Sequence, residues 1–396
     1  MTTEDPAVTL LRDYLRIKSV HPNPDYDSCV TLLKGQAETI GLDYQVTELV
    51  KGKPILIMSW MGYEPHLPTI LLNSHMDVVP VSEECWKYGP FEAVKEPNGD
   101  IFARGIQDMK SVGIQYIEAV RGLKEQGKRL KRTIHICFVP DEELGGIDGM
   151  GKYVSSPDFK KLNVGMALDE GLGTLDEEIP VYFTERNPFV VKFHCSGNPG
   201  HGSLFIENTA AAKVQYMINK MLKFRQEQKK LFDEDPKKAL GNVTTVNMTF
   251  MSGGLQMNVV PNELCIGFDI RVSPTHNIVE FQKMLENWME EAGGGIRMEF
   301  VYKFLNQSVT SVSPDDPWYQ AFQLGVQAHK LKVTPQVLCA VTDSRYLREV
   351  DIPVLGFSPM IHTPVLAHDH DEFLNESIFL RGIEIYKDII TELASV

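Results

Sequence analysis

Short apolar runs at 54–60 (PILIMSW), 68–72 (PTILL), 133–139 (TIHICFV) and 164–168 (VGMAL) alternate with segments of helical spacing at 6–17, 28–40 and 111–127. Strands separated by helices point to an α/β core with a mixed, largely parallel sheet. The pattern changes after Pro188. Strand-like 189–197 leads to a long helix from Thr209 to about Phe232, then to runs at 242–250 and 264–272, a helix from Asn277 to about Glu291, and a run at 296–304. That β-α-β-β-α-β order is ferredoxin-like. The α/β pattern then resumes, with a helix near 316–330, a strand at 352–357 and a final helix from about Glu372 to Ala394. The simplest architecture is one α/β domain split in sequence, 1–187 and 306–396, with an α+β domain at 188–305 inserted.

A chain of 396 residues has ample length for such a core. Its formal net charge of −14 argues against a nucleic-acid or anionic-membrane partner, since either needs a cationic face. The basic cluster at Lys229-Lys230 and Lys237-Lys238 reads as a solvated helix end with its loop. MTTEDPAV at the start lacks the apolar stretch of a secretory signal, and no run approaches the roughly 20 residues that span a bilayer. The 6 cysteines are scattered without a CxxC pair, as expected of reduced thiols in a cytoplasmic protein.

Polar residues gather where apolar segments end. Thr69-Ile70-Leu71-Leu72 breaks into Asn73-Ser74-His75-Met76-Asp77, and 133–139 into Pro140-Asp141-Glu142-Glu143-Leu144-Gly145-Gly146. Strand 164–168 ends in Asp169-Glu170, Asp108 stands just before a helix, and His368-Asp369-His370-Asp371-Glu372 comes late in the chain. A lone histidine at a strand end is more often structural than a ligand. In open α/β sheets, however, ligands bind beyond the carboxyl ends of the strands. If these segments are neighbours there, His75, Asp108, Glu143, Glu170 and His368 converge. Two imidazoles and three carboxylates suffice for two zinc ions if one carboxylate bridges and each ion keeps a position for water. Chemistry alone leaves open Glu142 against Glu143, Asp169 against Glu170, and His368 against His370. Asp108 also suits the N-cap of the helix that follows. His135 and His194 read as structural.

SHMD, GIQDMK, PDEELGG, LDEG, GHGS and HDHDE, in this order, resemble the co-catalytic zinc metallopeptidase family of aminoacylases, carboxypeptidases and dipeptidases. The resemblance runs over nearly the whole chain. It implies His75 and Glu170 on one zinc, Glu143 and His368 on the other, Asp108 bridging, Asp77 orienting His75, and Glu142 as general base. It further implies a homodimer built through the inserted domain, with His201 reaching the partner's active site to stabilise an oxyanion. Gly202 stands where alanine is more usual in the family. Asn258, Arg271 and Arg345 would hold the substrate carboxylate, for which the guanidinium fork is suited. The expected activity is hydrolysis of N-acyl-L-amino acids to a carboxylate and a free amino acid. A dipeptidase or carboxypeptidase with the same metals is the nearest rival. A non-catalytic binding relative is disfavoured because no ligand is missing.

Overall fold

A computed structural model describes residues 4–235 and 239–396. Lys237 and Lys238 of the expected basic loop lie outside the described residues. Contacts divide the chain into two compact units: Met1–Phe183 with Ser308–Pro335 and Thr342–Val396, and Thr184–Gln307 with Gln336–Val341.

The first unit is built on an eight-stranded mixed sheet in the order Asp43–Val50, Lys53–Trp60, Ile134–Val139, Thr69–His75, Val164–Asp169, Val354–Gly356, Glu178–Glu185, Lys332–Leu338. The central neighbours from Ile134–Val139 to Val354–Gly356 pair in parallel. Asp43–Val50 and Lys53–Trp60 join on one side antiparallel, as does Glu178–Glu185 on the other. Thr69–His75 is buried along its whole length, as a central parallel strand covered on both faces must be. Helices Pro6–Arg16, Ser111–Glu125, Pro317–Gln327 and Glu376–Leu393 contribute their apolar residues to the same core.

Two boundaries differ from the sequence reading. The last helix begins at Glu376, because the Asn375 side chain accepts the backbone N–H of Ser377 as an N-cap. Residues Phe373–Asn375 instead form a strand antiparallel to Asp100–Phe102. Asp108 caps no helix. Its backbone is extended (φ −125°, ψ 94°), and the helix Ser111–Glu125 starts beyond it without a side-chain cap.

The second unit carries a four-stranded sheet in the order Thr245–Gly253, Glu263–Val272, Asn187–Ser196, Ile296–Lys303. Every neighbour pair is antiparallel. Helices Ala210–Asp233 and Ile278–Glu291 bury Val214, Met217, Met221, Phe281 and Leu285 in the unit's own core, which includes Phe189, Phe193 and Phe268 from the strands.

Candidate metal centre

His75 is the last residue of its strand and 1% exposed. Its Nδ1 donates to the main-chain carbonyl of Asp77 at 2.9 Å, and its Nε2 faces Asp108 Oδ1 at 2.9 Å and Glu170 Oε2 at 3.9 Å. The other oxygen of Asp108 lies 3.2 Å from His368 Nε2, which is also 3.0 Å from Glu143 Oε2. One carboxylate therefore stands between two imidazoles, the arrangement a bridging ligand requires. His370 is exposed, with its backbone N–H on Asp369. Asp169 is engaged elsewhere, accepting from Asn73 Nδ2 at 3.1 Å and Ser344 Oγ at 2.7 Å. Geometry thus separates Glu170 from Asp169 and His368 from His370.

Glu142 and Glu143 do not lie on an extended segment, where alternation would send them to opposite sides. Asp141 takes a left-handed conformation (φ 62°) and the two glutamates follow in a single 3₁₀ turn. Their side chains still part company. Potential ligand atoms of His75, Glu142 and Glu170 lie within 4.8 Å of one another, and so do those of His75, Asp108 and Glu143.

The expected part for Asp77 needs correction. Its carboxylate does not hold the His75 ring, being 3.7 Å from Nδ1; the carbonyl does that. The carboxylate instead accepts the backbone N–H groups of Glu142 at 3.2 Å and Glu143 at 3.1 Å, and pairs with His21 Nε2 at 2.8 Å. It fixes the turn that presents both glutamates. Tyr26 assists, donating its hydroxyl to Asp141 Oδ1 at 2.6 Å.

The electrostatics are those of crowded carboxylates. Burial and the charge of Glu170 push Glu142 well above the usual carboxylate range, and burial and Asp108 do the same to Glu170. Burial works against the His75 imidazolium, but hydrogen bonding to Asp108 and Glu170 outweighs it and raises the group. Hydrogen bonds to Asp108 and Glu143 push His368 up to about 10. Taken alone, the cluster balances its charge by proton shifts. Divalent cations serve the same end, and a mixed nitrogen and oxygen donor set of this size fits them.

Arg345, 3% exposed, belongs to the first unit. It donates from Nη2 to the carbonyl of Gly145 at 2.5 Å, at the end of the turn bearing Glu142 and Glu143. In the second unit, Gly200–His201 pairs with Val259–Val260, which brings His201 beside Asn258. Gly202 N–H donates to Asn258 O at 2.8 Å, and a Cβ at Gly202 would lie 3.2 Å from that oxygen, so glycine suits the close approach. His201 is exposed and its Nδ1 meets Ser203 Oγ at 2.7 Å. Arg271 is held by both oxygens of Asp269, at 2.8 and 3.1 Å.

The model of peptidase family M20/M25/M40 matches residues 71–392, a span that takes in every residue of this site except His21 and Tyr26. The chain belongs to this family. Among its relatives is aminoacylase-1 of Mus musculus, 49% identical over 100% of this chain and 98% of its own. Aminoacylase-1 of Homo sapiens is 45% identical over 99% and 96%, and that of Dictyostelium discoideum 41% over 99% and 98%. Two solved folds of the family superpose over nearly the full length. An M20 metallo-carboxypeptidase from Sulfolobus solfataricus has a TM-score of 0.73 at 16% identity, covering 99% of this chain and 100% of that one. A dinuclear metal-binding M20 peptidase from Bacillus subtilis has 0.71 at 14%, covering 98% of each.

Within this family member, His21 and Tyr26 escaped the sequence reading. Their signal was slight: a histidine and a tyrosine among two prolines and two aspartates in VHPNPDYD. The structural histidines behave as expected. His135 meets Ser59 Oγ at 2.9 Å, and His194 meets Glu299 at 2.8 Å.

Proposed function

We propose that the chain is a zinc-dependent amidohydrolase cleaving N-acyl-L-amino acids to a carboxylate and a free L-amino acid. The observation that carries this reading is identity of 45–49% over essentially the full chain to the mammalian aminoacylase-1 proteins cited above. The donor set supports it, with His75 and Glu170 for one zinc, Glu143 and His368 for the other, and Asp108 for both. Bound there, the ions supply a Lewis acid for the acyl carbonyl and an acidified water near neutral pH.

Glu142 is the proton carrier in this reading. It takes the proton of the attacking water and delivers it to the leaving amine nitrogen. The burial of Glu142 favours holding that proton between the two steps. Asp77 keeps Glu142 in place through the turn. Arg345, Arg271 and Asn258 are assigned to the substrate carboxylate and nearby polar atoms.

His201 of the partner subunit donates to the oxyanion, which makes the working unit a homodimer joined through 188–305. The second unit supports this with the exposed apolar side chains Leu204, Phe205, Leu255 and Met257, all close in sequence to His201 or Asn258. Exposed apolar clusters of this kind mark interaction surfaces. The six cysteines are all free, in keeping with a reducing cytoplasm. Among the described residues, no helix is long and apolar enough to cross a membrane.

Metal analysis combined with a substrate panel tests the reading. The expected result is two zinc ions per chain and faster turnover of N-acetylmethionine than of dipeptides. Faster dipeptide turnover would assign the chain to the dipeptidases or carboxypeptidases instead.

A further inference from the structure

Two of the proposed ligands, Asp108 and His368, sit on loops 260 residues apart in sequence, and neither loop is a regular element at the ligand. Side chains from both loops join them, Glu372 first among them. Glu372 is 0% exposed, and its two oxygens collect the donors of the Asp108 loop. Oε2 accepts from Arg104 Nη1 at 2.7 Å and Gly105 N at 3.0 Å, while Oε1 accepts from Gln107 N at 2.6 Å and Asp108 N at 3.4 Å.

The traffic runs the other way as well. Gln107 Nε2 donates to the carbonyls of Pro364 at 3.1 Å and Phe373 at 2.8 Å, and its Oε1 accepts from Leu366 N at 2.9 Å. Arg104 Nη2 donates to Asp369 O at 3.0 Å, one residue from His368. His368 itself has φ 65°, a conformation that non-glycine residues hold only where the surroundings over-determine it. These bonds lie on both sides of it in sequence.

We propose that Glu372 and Gln107 are positioning residues that lock the Asp108 loop to the His368 loop and so preset both ligands for a divalent cation. The inference rests on the metal reading of Asp108 and His368. Neither residue touches the ion in this account. Gln107 acts through backbone groups and Glu372 through backbone groups and the Arg104 guanidinium, in the way that residues behind a metal's ligands commonly set its affinity.

The test is a titration of metal-stripped protein with Zn²⁺ against a chromophoric chelator, made on wild type, Glu372→Gln, Gln107→Leu and Asn375→Ala. Asn375→Ala removes the cap of the neighbouring helix and leaves the clamp intact, so it reports what destabilisation of the segment does by itself. Wild type that binds no zinc would refute the metal reading and leave the clamp without a purpose. With zinc bound by wild type, the clamp predicts affinity lowered on the order of 10–100-fold in Glu372→Gln and Gln107→Leu. Asn375→Ala should stay at the wild-type value, and excess zinc should restore turnover to both clamp variants. Clamp variants that hold zinc as tightly as Asn375→Ala, whatever their melting temperature, would overturn the proposal. Should Glu372→Gln fail to fold, Gln107→Leu decides, since it leaves no buried charge without its partner.

Discussion

His75 and His201 share a local device: each ring uses Nδ1 on an oxygen two residues further on, the Asp77 carbonyl at 2.9 Å and the Ser203 hydroxyl at 2.7 Å. Everything around that device differs. His75 ends a buried strand and faces carboxylates, whereas His201 lies exposed on a two-residue strand beside Asn258. Spending Nδ1 locally leaves Nε2 for other work in both places. Burial among anions suits that nitrogen to a cation. Exposure leaves it open to a developing negative charge on a bound substrate. Motif spacing makes the histidines look alike, and only the surroundings separate their chemistry.

Removing the metal should have the largest effect. A strong chelator is expected to take activity to background and to lower the melting temperature, because a ligand that binds only the folded state stabilises it by mass action. Zinc should reverse both changes; a melting temperature indifferent to zinc would break the contrast on the His75 side. Next comes Glu142→Gln, for which kcat should fall about 10²- to 10⁴-fold with zinc content unchanged. Loss of zinc in that variant would exchange the parts of Glu142 and Glu143.

His201→Ala should lower kcat on the order of 10²-fold with wild-type zinc content and stability, as expected for a lost oxyanion donor. Subunit exchange between Glu142→Gln and His201→Ala homodimers should then restore measurable activity. No recovery would confine His201 to its own chain. Asp77→Asn should cost about 10- to 100-fold in zinc affinity or turnover, since an amide cannot serve His21 and both backbone N–H groups equally. Steady-state kinetics with metal analysis reads this directly.

The smallest effect concerns His135, buried without a carboxylate partner. Burial lowers it from 6.5 to about 4. Below about pH 6.5 the unfolded chain takes up a proton that the folded chain refuses until about pH 4, so this residue's contribution to stability is lost as pH falls through that window. An NMR titration of His135 with a midpoint near 6.5 would show that burial alone does not set histidine charge here.

Much of the first unit was legible because its central strands are buried on both faces and read as continuous apolar runs that stop at polar ends. The sheet's outer strands were not legible. Asp43–Val50 is exposed along most of its length and carries no alternating pattern, and Lys332–Leu338 at the other edge is little better. Glu142 and Glu143 were found, but their turn was not, because a left-handed aspartate at Asp141 leaves no mark in composition. The neighbourhood of His201 and Asn258 depends on strand register across 57 residues, which periodicity does not encode. Arg271 was read as a grip for the substrate carboxylate, with a strand-end salt bridge as the plainer alternative; that Asp269, two residues back on the same strand, is its partner follows from alternation.

The main-chain hold on His75 has a consequence for which proton the ring carries. A carbonyl oxygen can only accept, so the bond to Asp77 O keeps hydrogen on Nδ1, and whenever the ring is neutral its lone pair falls on Nε2, on the side of Asp108 and Glu170. The backbone, not the acidic side chain, selects the tautomer. Position 77 could therefore lose its charge and the ring would still present a ligating nitrogen, so a defect in an Asp77 variant belongs to the glutamate turn rather than to the histidine.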